Sequence, residues 1–176
     1  DMVSPLDGFS QLTLDAGVNP DIVDATGQLY GLQTIVAKYE FSSGKDDSIS
    51  YWLGILPGGG VRFAVYTDNS GMGSYSGYHV DTPGGMITPG QFQHVTGVWK
   101  GGTDIAVYVD GQPAGGSGAQ DGNGGTLIAD SSTAVTLGRV EGYSGAPQFH
   151  FGGIIDEVEI FDRALSPTEI QAIVDE

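Results

Sequence analysis

The residues with the clearest potential for chemistry are Glu157 and Glu159, two carboxylates in the run Ile154-Ile155-Asp156-Glu157-Val158-Glu159-Ile160-Phe161. Retaining glycoside hydrolysis needs two carboxyls about 5 Å apart, and same-face neighbours on a strand lie roughly 6–7 Å apart. The spacing would therefore suit an acid and a nucleophile. The plainer reading is a pair of solvated or salt-bridged carboxylates. The three histidines, His79, His94 and His150, are too dispersed for a metal motif, and no nearby acid or hydroxyl pattern suggests a triad. His79 and His150 sit in or beside glycine-rich segments, where a ligand could reach them.

Calcium would need hard oxygen ligands from aspartates and loop carbonyls. Asp121-Gly122-Asn123-Gly124 begins like an EF-hand loop, but Thr126 and Ser132 occupy the places of its glycine and its final glutamate. Asp156 is better motivated. Period-two alternation puts it with Ile154, Val158 and Ile160 on a face expected to look inward, and a carboxylate there is costly unless paired or metal-bound. An ion pair with Arg163 and a hydrogen-bonded turn are the other ways to satisfy it.

Sugar recognition draws on aromatic rings that stack on pyranose faces and on amides, carboxylates and guanidinium groups that bond hydroxyls. Tyr66, Tyr75, Tyr78 and Tyr143 are the candidate rings, with Arg62, His79 and Gln148 as polar companions. Trp52 and Trp99 are also available, although strand aromatics commonly fill cores. Tyr75, Tyr78 and Tyr143 belong to glycine-rich stretches with little core to fill.

The elements that must position these groups are mostly strands. Leu12, Leu14 and Ala16 alternate with Thr13, Asp15 and Gly17, and Gln33–Phe41 is rich in β-branched and aromatic residues. Ser50–Leu56 and Val61–Asp68 flank Pro57-Gly58-Gly59-Gly60, a hairpin signature. In the second of these, Arg62, Ala64 and Tyr66 share one face and Val61, Phe63 and Val65 the other. Residues 69–87 read as surface loop around one short strand. Gln91–Trp99 and Asp104–Gln112 form a further hairpin, residues 114–132 a loop, and Ala134–Val140 the strand before the acidic run. Helix-start signals then crowd together: Ser166 as N-cap, Pro167 at the first helical position, Glu169 for a capping box, and Leu165 with Ile170 as a hydrophobic staple.

At 176 residues and 39% hydrophobic content, one core suffices. Thirty glycines and eight prolines fit the many tight turns of an all-β fold. Twenty-two acidic against six basic residues give a net charge of −16, which repels nucleic acid and anionic membrane. Cysteine is absent, so disulfides, thiol nucleophiles and zinc–thiolate sites are excluded. No apolar run approaches the roughly 20 residues of a membrane helix. Asp175 and Glu176 oppose the helix dipole, which suggests a chain cut from a longer one.

The stretches QFQHVTGVWKGGTDIAVYVDGQPAG and FGGIIDEVEIFDRALSPTEI, in that order, resemble the laminin-G-like branch of the concanavalin A-like lectin/glucanase superfamily. LTLDAGVNP resembles a further family strand, with Gly17 where a tryptophan is usual; Phe92 likewise replaces the tryptophan before His94. The resemblance spans roughly residues 9–174. It implies an antiparallel two-sheet jelly-roll β-sandwich with one short C-terminal helix, commonly one structural calcium ion, and a strand-fixing role for His94. The superfamily's glucanases use three acids, E-x-D-x-E or E-x-D-x-x-E; here the third place falls on Phe161 or on Asp162, and the second spacing puts Glu159 where aspartate belongs. The expectation is a single domain over 1–176, excised from a larger secreted protein. It would be a non-catalytic extracellular carbohydrate-binding or adhesion module for a polysaccharide or glycan, calcium-stabilised through Asp156. The alternatives are a module contacting a protein partner and, third, a glycosidase or lyase.

Overall fold

The computed structural model describes residues 6, 8–24, 31–39, 49–67, 77–122, 124–126, 133–141 and 148–176. Its strands are β1 (Leu12–Pro20), β2 (Gln33–Tyr39), β3 (Ile49–Leu56), β4 (Gly60–Tyr66), β5 (Gly77–Asp81), β6 (Gln93–Gly101), β7 (Asp104–Val109), β8 (Gln112–Pro113), β9 (Ala119–Asp121), β10 (Val135–Leu137) and β11 (Gly153–Phe161), followed by the helix α1 (Pro167–Val174). They form two antiparallel sheets, one ordered β11-β1-β6-β7-β8 and the other β10-β2-β3-β4-β5-β9. Segment 114–132, expected to be loop, contributes β9 as an edge strand against β5.

The core lies between the sheets. Leu12, Leu14, Ala16 and Val18 of β1 meet Leu53, Ile55, Phe63 and Val65 from the opposite sheet, all fully buried. Strand alternation predicts each of these sets, because one face of each sheet must pack on the other. Gly97 lets the sheets approach: a Cβ there would lie 2.5 Å from the Phe63 ring. Asp110 and Gly111, with φ of 50° and 73°, form the two-residue turn between Val109 and Gln112, the conformation that a tight hairpin needs.

Helix α1 forms as its start signals predict. The Ser166 hydroxyl accepts from the Glu169 N–H at 3.3 Å while the Glu169 carboxylate accepts from the Ser166 N–H at 2.8 Å. These bonds to Ser166, together with Arg163, hold the Glu169 carboxyl down at about 2. The helix lies on the outer face of the five-stranded sheet, where Leu165 and Ile170 pack with Val98 and Tyr108.

β11 departs from simple alternation. Asp15 pairs with Glu159 and Gly17 with Asp156, so Ala16 alone faces Glu157 and Val158. This is a β-bulge, and Glu157 takes a φ of 50°. The extra residue reverses the phase of everything before it. Ile155, Val158 and Ile160 pack on the core, whereas Ile154 is 53% exposed and Asp156 is exposed. The expected inward face therefore holds for Val158 and Ile160 and is wrong for Ile154 and Asp156.

Candidate functional site

The six-stranded sheet assembles a polar cluster on its outer face. In β4 the inward Val61, Phe63 and Val65 leave Arg62, Ala64 and Tyr66 facing out, as their alternation predicts. The cross-strand register then sets their neighbours: Arg62 opposite Asp81, Ala64 opposite His79, and Tyr66 opposite Gly77, which pairs in turn with Asp121. Arg62 donates through Nε and Nη2 to the two Asp81 carboxylate oxygens, both at 2.6 Å. That bond is the main cause raising the arginine pKa above its ordinary value. His79 Nδ1 lies 2.6 Å from Asp121 Oδ2. Because a carboxylate only accepts, the ring donates from Nδ1, and Nε2 of the neutral ring is an acceptor.

The part of this face near β2 and β3 is closed. Trp52 is only 4% exposed, packed with Ala37, Tyr39, Val140 and Phe149, and its indole N–H donates to Thr34 Oγ1 at 2.9 Å. Its ring occupies the space that a side chain at Gly54 would need. Tyr66 packs at the border of that cluster, its ring 6.3 Å from the ring of Tyr39. The rest, over β4, β5 and β9, presents the partly exposed Tyr66, Arg62, His79 and Asp81 and the exposed Asp121. A half-buried tyrosine ring beside a guanidinium, an imidazole and two carboxylates is suited to stacking on a sugar ring and bonding its hydroxyls.

Of the sequence candidates, Arg62, Tyr66 and His79 thus come together. Gln148 is bridged through its backbone to Val140, at 2.9 and 3.0 Å, beside the closed part of the same face. Tyr75 and Tyr143 lie outside the described residues. Tyr78 is a correction. It faces inward, 7% exposed, with its ring 6.1 Å from that of Trp99, and its hydroxyl donates to the Gly125 carbonyl. Since His79 points out, Tyr78 must point in. Asp81 and Asp121 were missed: Asp81 shares the strand face of His79 two positions on, a signal that alternation carries, whereas Asp121 lies 42 positions from His79 and reaches it only through the pairing of β5 with β9.

The outer face of the five-stranded sheet carries a second polar group beside α1. Asp15 is fully buried, accepts from the Thr96 hydroxyl and lies 3.4 Å from His94 Nδ1; His94 Nε2 is 4.0 Å from Glu157. An acid and a hydroxyl do adjoin His94, contrary to the sequence expectation, because β1 and β6 bring them from separate strands. The hydroxyl donates to the acid and not to the histidine, so the order is not that of a nucleophilic triad. Glu157 and Glu159, both exposed, line a cleft of about 260 Å³ with Val158, Ile173 and Glu176. Phe161, at one position for a third acid, packs under α1 instead.

The premise for calcium at Asp156 does not hold. Its carboxylate is exposed and accepts from the Glu157 N–H at 2.9 Å, which is the hydrogen-bonded turn that the sequence left open, now capping the bulge. Arg163 pairs with Glu169. Among the described residues no three His, Cys, Asp or Glu side chains gather to hold a metal. The two departures from the family pattern touch each other: a Cβ at Gly17 would lie 4.0 Å from the Phe92 ring, which is 56% exposed.

Two stacked antiparallel sheets, a terminal helix on one outer face and an open polar face on the other define a lectin-like jelly-roll sandwich. The chain belongs to the concanavalin A-like lectin/glucanases superfamily, whose laminin G-like profile matches residues 3–171. Among solved structures it is similar to the CBM40 of the Ruminococcus gnavus IT-sialidase bound to α2,3-sialyllactose, with a TM-score of 0.68 and 18% identity over 95% of this chain and 84% of that one. A SAP-like pentraxin from Limulus polyphemus matches with a TM-score of 0.62 and 19% identity over 96% and 71%. The binding domain of botulinum neurotoxin serotype G matches with a TM-score of 0.60 and 12% identity over 96% of this chain and 36% of that one. No curated protein matches the chain. No helix among the described residues is long and apolar enough to cross a membrane.

Proposed function

We propose that this chain is a non-catalytic, extracellular carbohydrate-binding module that holds a polysaccharide or glycan on the outer face of its six-stranded sheet. The observation that carries this reading is the convergence of Tyr66, Arg62 and His79 with Asp81 and Asp121 on one open surface. The likeness to a sialidase CBM40 bound to a sialylated sugar supports a glycan ligand in general. Titration against a polysaccharide panel should give binding that Tyr66→Ala and His79→Ala each weaken at least tenfold, while a distant Phe92→Ala does not. Retention unchanged by both face variants would sink the site, and no binding to any glycan would sink the reading.

A protein contact is the second reading. Phe92 and Ile154, 56% and 53% exposed on the other outer face, favour it. It predicts a partner whose capture Phe92→Ala abolishes and soluble glycan leaves untouched. Calcium enters through family likeness alone. A melting midpoint that rises with calcium would support a structural ion, and an identical midpoint with chelator removes it.

A further inference from the structure

The chain has only six basic residues in a net charge of −16. Lys45 lies outside the described residues. Lys38 is 1% exposed and donates its ammonium to the Thr133 carbonyl at 3.0 Å. The remaining four each face a carboxylate: Arg62 with Asp81 at 2.6 Å, Arg139 with Glu141 at 2.9 Å, Arg163 with Glu169 at 2.7 Å and Lys100 with Asp104 at 3.9 Å. On the candidate face itself the guanidinium of Arg62 has both its Nε and one Nη committed to Asp81. Among the described residues of this face, His79 turns Nδ1 to Asp121.

We propose, resting on the glycan-binding reading above, that the ligand is an uncharged glycan and that this face selects against sialylated, uronic-acid and sulfated chains. A bound carboxylate or sulfate would find Arg62 already paired with Asp81 and Asp121 on the same face, on a chain of net charge −16. Sugar hydroxyls meet no such conflict. They donate to the Asp81 and Asp121 oxygens, while the apolar face of the sugar covers Tyr66. The selectivity comes from the pairing of Arg62 with Asp81, which the register of β4 against β5 sets.

The test is a titration of the whole chain against matched neutral and anionic oligosaccharides, lactose against sialyllactose and neutral against sulfated galactans, at low and at high salt. The expected result is binding of a neutral glycan, nearly independent of salt, with the anionic counterpart about tenfold weaker or more. Anionic glycans bound as tightly as neutral ones, or more tightly and with affinity falling as salt rises, would overturn the proposal while leaving glycan binding intact. Failure to bind any glycan, neutral or anionic, would overturn both.

Discussion

Replacing Asp81 by asparagine keeps the side-chain shape and removes the charge that neutralises Arg62. The two groups are cross-strand neighbours, and both side chains are 38% exposed. A bidentate pair this open to water contributes at most about 1 kcal/mol to stability. Asp81→Asn should therefore fold, with a melting midpoint lower by about 2–4 °C. Binding should change more than stability. With Asp81 replaced, the face loses one negative charge, and the guanidinium can turn its fork to a ligand carboxylate. Hydrogen bonds to charged groups are worth about 1.5–3 kcal/mol, so affinity for sialyllactose should rise roughly 10- to 100-fold, with a new salt dependence. Affinity for a neutral glycan should fall only slightly, since asparagine still offers one acceptor. Calorimetric titration of wild type and variant with lactose and sialyllactose measures both changes. If sialyllactose binding fails to rise while the variant remains folded and binds neutral sugar, the claim that Asp81 occupies Arg62 is wrong.

The bulge gives a second expectation. Glu157, at φ 50°, should tolerate glycine within about 1 kcal/mol, whereas Glu157→Val should cost about 2 kcal/mol by urea denaturation, because a β-branched residue resists that conformation. Equal stability of the two variants would contradict the bulge. Gly97→Ala drives a methyl into the Phe63 ring and should destabilise by about 1–3 kcal/mol, and an unchanged urea midpoint would mean that the sheets are not so close. The capping box sets an acid response. Glu169 is held at about 2, below its ordinary 4.5, so its contribution is complete above 4.5 and disappears as pH falls through about 2. The melting-point difference between wild type and Glu169→Gln should therefore shrink over that window, and a constant difference would refute the assignment.

Much of this molecule is legible in the order of its residues, where the governing interactions are local. Ser166, Pro167 and Glu169 specify the helix start within one turn, and the alternation of Arg62, Ala64 and Tyr66 with Phe63 and Val65 depends only on the two-residue period of a strand. The family strands around His94 and the Asp156 run could be recognised for the same reason. Tertiary structure decided whatever depends on phase and partner. One extra residue at Glu157 turned Asp156 from an expected buried anchor to a solvent-facing cap, and only the pairing of β11 with β1 reveals that residue. Tyr78 entered the core because β5 starts at Gly77 and sends His79 outward, a phase that glycine-rich sequence leaves open. The pairings of Arg62 with Asp81, His79 with Asp121 and Asp15 with His94 join residues 19, 42 and 79 positions apart. Their partners were settled by strand order and register, which arise from packing two whole sheets against each other and have no local signature.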